Sequence, residues 1–250
     1  LPTWRLRKVQ SGSPDASAAP SRKTLRESSR RINEAVRQYV CAGRFARWIG
    51  LLIAAKVVVL TLVAFEWKVA TDNFFDGDDQ AMARYFGIFY AVTGLITLTI
   101  QFFLTGRILT SRGVLLPIIV MPAILLFLNV FLIAGSGVVL LMTITTLAKS
   151  MDAWRRSAHD TAVQFLYTRL ERSNRRDVIG FNSAIVKPLA EVAASMVLML
   201  GSPFVHHGLL VGATMVWLFA VTSLVSLIRS KKPAADAGLG TQALRFEPAE

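Results

Sequence analysis

Cysteine is nearly missing from the 250 residues. The only one, Cys41, rules out an intrachain disulfide framework, and no Cys/His spacing resembles a zinc site. Acid is scarce too: 16 Asp and Glu stand against 28 Lys and Arg, a formal net charge of +12. The chain has no phosphate-binding glycine loop, dinucleotide glycine pattern, carboxylate pair or nucleophile–base arrangement, so it is not read as an enzyme and implies no cofactor. No secretory signal peptide is visible, because the first apolar run begins only near Trp48, behind a polar basic stretch. The chain opens on Leu1 instead of Met, as expected of a processed product or a fragment.

Apolar residues are what the chain has in excess. They make up 53%, with a mean hydropathy of +0.48, and fall in long blocks, which fits an integral membrane protein better than a soluble domain. A spanning helix needs about 20 apolar residues. Six segments qualify, near 46–67, 84–105, 114–134, 136–153, 184–204 and 207–228, so the expected fold is all-α, a polytopic bundle of six transmembrane helices. The fourth segment has a short apolar part, "GVVLLMTITTLA", carrying Thr143, Thr145 and Thr146; without it the count is five.

The basic excess could suggest nucleic acid, but its distribution points to a membrane. Lys and Arg crowd residues 1–47, the 106–113 turn, the 149–187 segment and the C-terminal tail, whereas the first connection, "TDNFFDGDDQ", is acidic. The connections "AGSG" and "SPFVHHG" hold no Lys or Arg. Basic residues in every second loop put both termini in the cytoplasm. Adjacent His206 and His207, in the last of these loops, do not by themselves make a metal site.

Outside the spans, residues 1–23 read as a flexible cytoplasmic linker and 24–43, "TLRESSRRINEAVRQYV" within it, as an amphipathic surface helix suited to anionic lipid headgroups. Residues 154–180 read as a second cytoplasmic helical segment, with Val163, Leu166, Tyr167 and Leu170 on one face. The tail 231–250 is expected to be disordered. Pro122 should interrupt the third helix, and the small residues of "VTG" and "VGAT" should let helices approach closely.

Ionisable groups at membrane depth are the candidate functional residues. Lys56 lies near mid-span in the first segment, too deep to snorkel. Lys187 and Glu191 are four apart on one face, and Glu191 is a depth-compatible partner for Lys56. Lys187, close to the start of its segment, reads equally as an interfacial marker. Glu66 and Lys68, two apart and so on different faces, flank Trp67: either an interfacial anchor or part of a polar lining. Gln101 and Asn129 suit a substrate or a helix–helix hydrogen bond.

The turn "LTGRILTSRGVLLP", with Gly106-Arg107 and Arg112-Gly113, resembles a degraded form of the loop between the second and third helices of each major facilitator half. The acidic residue and terminal basic pair usual there are replaced by Ser111 and Val114-Leu115. Together with "TLRESSRRINEAVRQYV", "FEWKVATDNFF" and "QFLYTRLERSNRRDVIGFNSAIVKPLAEVAAS", it resembles the ATP/ADP translocase-like branch of the major facilitator superfamily. The resemblance implies nucleotide or organic-anion transport by alternating access in a bacterial inner membrane, with Lys56, Lys68, Lys187 and Glu191 serving the substrate phosphates. It also implies a missing N-terminal six-helix half or a second copy of the chain. A membrane scaffold binding partners or anionic lipid through its basic helices is the alternative. A transporter should turn Lys56 and Glu191 into one water-accessible cavity; a scaffold should bury them.

Overall fold

The computed structural model describes residues 36–37, 39–40, 43–104, 115–134, 137–200 and 203–243. The linker 1–23, most of the expected surface helix 24–43 and the Gly106–Gly113 turn lie outside the described residues.

Every described element is helical. The helices are α1 (Gly43–Phe75), α2 (Asp79–Thr99), α3 (Leu115–Ala134), α4 (Val138–Trp154), α5 (Asp160–Tyr167), α6 (Arg172–Phe181), α7 (Lys187–Leu200) and α8 (Pro203–Ala243). Wide π turns extend α2 over Ile100–Leu104, join α4 to α5 over Arg155–His159, and join α6 to α7 over Asn182–Val186. The described residues therefore form six rods, with α4–α5 and α6–α7 each running unbroken.

Among the described residues five helices are long and apolar enough to cross a membrane: Gly43–Phe75, Asp79–Phe103, Leu115–Ile133, Asn174–Met199 and His206–Ser230. The fourth apolar segment is the one that falls short, because its rod, though long, carries Lys149, Asp152 and Arg155 directly after a short apolar stretch. It is nevertheless helical, because its threonines return their hydroxyls to their own helix: Thr143 to Val139 O, Thr145 to Leu141 O and Thr146 to Met142 O, at 2.8, 2.9 and 2.6 Å. The segment 154–180 is helical, as the continuation of α4 through α5 and the start of the α6–α7 rod, and Val163, Leu166, Tyr167 and Leu170 are the buried positions that tie it down. α8 runs to Ala243, through a stretch in which Pro233, Gly238 and Gly240 lower the local helix propensity.

α1 is the hub, packed against α4, α7 and α8, with α3 closing on α4 and α8 and α2 lying outside against α4. Ala46, Ile49, Leu52, Val59, Leu62 and Val63 on α1 meet Leu210, Trp217, Val221 and Leu224 on α8 in one apolar core. Pro122 lies inside α3, where it removes one ladder hydrogen bond. Asp78 caps α2, accepting from the Gln80 and Ala81 amides at 3.0 Å each, so one acid of the first connection has a local structural task.

Close approach occurs at a glycine other than those expected. Gly94 and Gly212 face open space, whereas a Cβ on Gly50 would collide with the Tyr39 hydroxyl. That hydroxyl donates to Ala46 O at 2.9 Å, and its ring stacks on Phe181 with centroids 4.3 Å apart. Burial, then Tyr167, push the Tyr39 phenol up to about 12, so it remains a protonated donor at neutral pH. Asn182 beside it donates to the Tyr167 hydroxyl at 3.0 Å. The cluster binds the chain before α1 to the α6–α7 rod. Gly50→Ala should therefore destabilise by about 1–3 kcal/mol, as overpacking does. Thermal unfolding in detergent will read this as a lowered Tm, partly restored when Tyr39→Leu is added.

Candidate functional site

A cleft of about 630 Å³ opens between α1, the α4–α5 rod and the α6–α7 rod. Along α1, Lys56, Leu60, Ala64 and Lys68 line it at four-residue steps, one helical face about 18 Å long at 1.5 Å per residue. α4 and its π turn contribute Lys149, Asp152 and Arg155; α5 contributes Asp160 and Gln164; the α6–α7 rod contributes Ser183, Lys187 and Glu191. Five cationic and three anionic side chains thus share one space, a net +2.

Lys56 is 7% exposed and sits about 20 Å along α1 from Gly43. Its partner corrects the sequence expectation. Lys56 Nζ donates to Asp160 Oδ1 at 2.8 Å, and among the described residues no ion pair joins Glu191 to any cation. The reason is the length of the fourth rod: because α5 continues α4, Asp160 reaches the level of Lys56, while exposed Glu191 lies across open cleft. Asp160 Oδ2 also accepts from Arg155 Nη1 at 3.1 Å. Arg155 Nε donates to Asp152 Oδ1 at 2.9 Å, and Asp152 Oδ2 accepts from Lys149 Nζ at 2.8 Å. The result is a continuous chain, Lys149–Asp152–Arg155–Asp160–Lys56, in which two carboxylates hold three cations. The wide turn matters here: Arg155 opens it and bridges the acid before it to the acid after it. His159 closes the same turn, fully buried, with Nδ1 3.4 Å from Asp160 Oδ1 and its ring edge-on to Trp217 at 5.5 Å.

Of the residues singled out from the sequence, Lys56, Lys68, Lys187 and Glu191 meet in this cleft. Glu66, Gln101 and Asn129 do not. Glu66 points from another face of α1 into the bundle, 8% exposed, with Oε2 3.5 Å from His207 Nε2. His206 and His207 belong to α8 and not to a loop, and among the described residues no group of three or more possible ligands gathers around a metal position. Asn129 is buried and donates to Thr214 Oγ1 at 3.1 Å, a bond between α3 and α8. Gln101 is exposed on the π turn that follows α2.

Trp67 is not an interfacial anchor. It is 1% exposed, ringed by Tyr85, Phe86, Phe89 and Tyr90, and its Nε1 donates to the Tyr85 hydroxyl at 3.2 Å. Tyr85 in turn bonds Thr146 at 2.7 Å, and Lys149 Nζ lies 5.8 Å from the Trp67 ring centroid. α2 covers the indole, which the length of the first apolar run alone does not disclose.

Arg155 and Asp160 escaped the sequence reading because 154–180 was assigned to a cytoplasmic connection, and Lys149 and Asp152, at the end of the fourth segment, were counted only with the basic stretch that follows it. Their spacing carried a signal: Lys149, Asp152 and Arg155 are three apart, alternating in sign along one helical face.

The model of the TLC ATP/ADP transporter family matches residues 10–153, more than half of the chain and inclusive of α1 through nearly all of α4. The chain belongs to the TLC ATP/ADP transporter family. This is a family of nucleotide transporters and not of enzymes, and its helices are those of an integral membrane protein. No curated protein and no solved structure matches the chain. Within this family member the charged cleft lies between α1 and α4, which the family match covers, and α5 to α7, which follow it.

The ion pair makes a quantitative prediction. In a double-mutant cycle on Lys56→Ala and Asp160→Ala, the two losses of stability should be nonadditive by roughly 1–3 kcal/mol, whereas Lys56→Ala and Glu191→Ala should add within about 0.5 kcal/mol. Chemical unfolding in mixed micelles will measure both cycles; equal coupling in the two would contradict the pairing. Trp67→Ala, which empties a fully enclosed site, should cost about 3–5 kcal/mol in the same assay.

Proposed function

We propose that the chain moves ATP, ADP or a closely related organic anion by alternating access, with the α1/α4–α5/α6–α7 cleft as its substrate site. The observation that carries this reading is that Lys56 and Glu191 share one open space with six further charged groups of net positive sign, as a conduit for a polyanion requires and a closed scaffold does not. Lys68 and Lys187, exposed in the cleft and free of ion pairs among the described residues, are the first cations to meet the phosphates. Lys56 and Arg155 are the deeper ones. Glu191 lies one turn beyond Lys187 and repels a second anion once the first is seated. An open ammonium–phosphate contact is charge-assisted, worth about 1.5–3 kcal/mol.

The full bundle in this reading has six spans. The α4–α5 rod is the fourth, its back-bonded threonines making it compatible with lipid despite the short apolar run. The arrangement is a major-facilitator-like half bundle, and a second six-helix half or a second copy faces the cleft and completes the path. Exposed apolar side chains on α2 and α7, such as Phe102, Leu189 and Met199, suit contact with that half or with lipid tails. The distribution of the basic segments supports termini on the cytoplasmic side of a bacterial inner membrane, against its anionic inner leaflet.

Nucleotide binding by the protein in lipid nanodiscs tests the assignment. ATP should bind saturably, and Lys68→Ala and Lys187→Ala should each weaken it by about tenfold or more, the effect shrinking in high salt. Gln101→Ala and Asn129→Ala should leave nucleotide affinity unchanged per folded molecule. Equal loss in all four would remove the cleft from consideration.

A further inference from the structure

We infer that two adjoining grooves at the Arg229 end of the membrane-spanning part of α8 seat the headgroups of anionic phospholipids, one phosphate against Arg44 and the other against Arg229. The inference needs only the membrane placement of the bundle. It is independent of the nucleotide site, because α8 supplies no residue to the charged cleft.

Along α8, Met215, Phe219, Thr222, Ser226 and Arg229 recur at steps of four, three, four and three, which puts them on one helical face about 21 Å long at 1.5 Å per residue. All five are exposed. The face passes from apolar to hydroxyl to cation in the order in which a lipid passes from acyl chain to phosphate. One groove, of about 480 Å³, is lined by Arg44 and Trp48 of α1 with Thr222, Ser223, Ser226 and Leu227 of α8. Its register is fixed by Trp48, whose ring meets Phe219 edge-on at 5.6 Å, so that Arg44, one turn back along α1, comes level with the hydroxyls. The other groove, of about 600 Å³, shares Thr222 and Ser226 with the first and adds Arg229, Ser230 and Ile119 of α3. Among the described residues neither Arg44 nor Arg229 has an ion pair. The Thr222 and Ser230 hydroxyls are returned to Phe219 O and Leu227 O at 3.0 and 3.1 Å, whereas Ser226 has no hydrogen bond among the described residues and is left as a donor. Guanidinium groups without an acceptor, beside a free hydroxyl, suit a phosphate diester, which accepts charge-assisted bonds from both. Exposed Arg47 strengthens the positive field, and a choline headgroup, carrying its own cation, gains less from it. The groove across Leu227 holds Arg169 with Glu171, has no net charge and is not part of the site.

Native mass spectrometry of the whole chain, released from micelles doped with equal amounts of phosphatidylglycerol and phosphatidylcholine, counts the lipids that stay bound. Phosphatidylglycerol should be retained in preference, and Arg44→Gln and Arg229→Gln should each lower its retention by about fivefold. Arg172→Gln, which removes an exposed arginine outside both grooves, should leave retention unchanged. Should either groove variant not yield a monodisperse protein, Ser226→Glu decides, because an anion on the shared ridge should displace lipid from both sides. Equal retention of the two lipids, equal loss in all three arginine variants as a general charge effect would produce, or a dimer that carries no lipid on this face, overturns the inference. A protein that binds no nucleotide leaves it standing.

Discussion

An ammonium buried near the middle of the hub helix governs the arrangement of everything around it. Lys56 is too deep to snorkel to the headgroups and is only 7% exposed at the cleft wall, and an unpaired charge so buried costs several kcal/mol. The fold answers by running the fourth rod past the end of its apolar stretch until Asp160 stands opposite, at 2.8 Å. Extending that rod brings Asp152, Arg155 and Lys149 along the same face. One counterion requirement in α1 thus assembles the whole charged wall of the cleft.

The two wide turns that border the cleft fit this picture. A π turn carries one residue more than an α turn and re-aims the side chains beyond it, and such turns recur at functional sites. In the fourth rod, Arg155–His159 presents Arg155 to the acids on both sides. In the fifth, Asn182–Val186 turns Ser183 and then Lys187 toward the opening, while Asn182 is held by Tyr167. The opposite side of α1 is conventional bundle core, with Glu66, Asn129 and Thr214 buried beneath α8 and α3. Lys68 and Glu66, two residues apart, accordingly serve different sides of one helix.

Much of this was legible in the sequence, since burial in a bilayer is written in the length of apolar runs. The helices, the depth of Lys56, the shared face of Lys187 and Glu191, and the divergence of Glu66 from Lys68 all follow from a 3.6-residue period counted from an apolar boundary. Partners across helices do not. The polar composition of 154–180 suggests a surface segment, yet nearly half of it is the continuation of α4, so Asp160 went unnoticed and Glu191 seemed the nearest acid to Lys56. Trp67 between two charges has the composition of a membrane boundary, and only the packing of α2 across it reveals a buried indole. Asn129 had two readings by type alone; its bond to Thr214 settles its position in the core.

The central claim is that the cleft is wet and that nucleotide occupies it. Ser183 lies in its wall, and Cys41 is the sole native thiol, so Ser183→Cys on a Cys41→Ser background places one reporter there. The most direct measurement is the rate at which a membrane-impermeant, negatively charged thiol reagent labels that cysteine in proteoliposomes, with and without ATP. The account predicts rapid labelling that ATP slows in a saturable way. A cysteine that reacts no faster than one placed at Trp67, buried in the bundle, or one whose labelling ATP does not change, would contradict it.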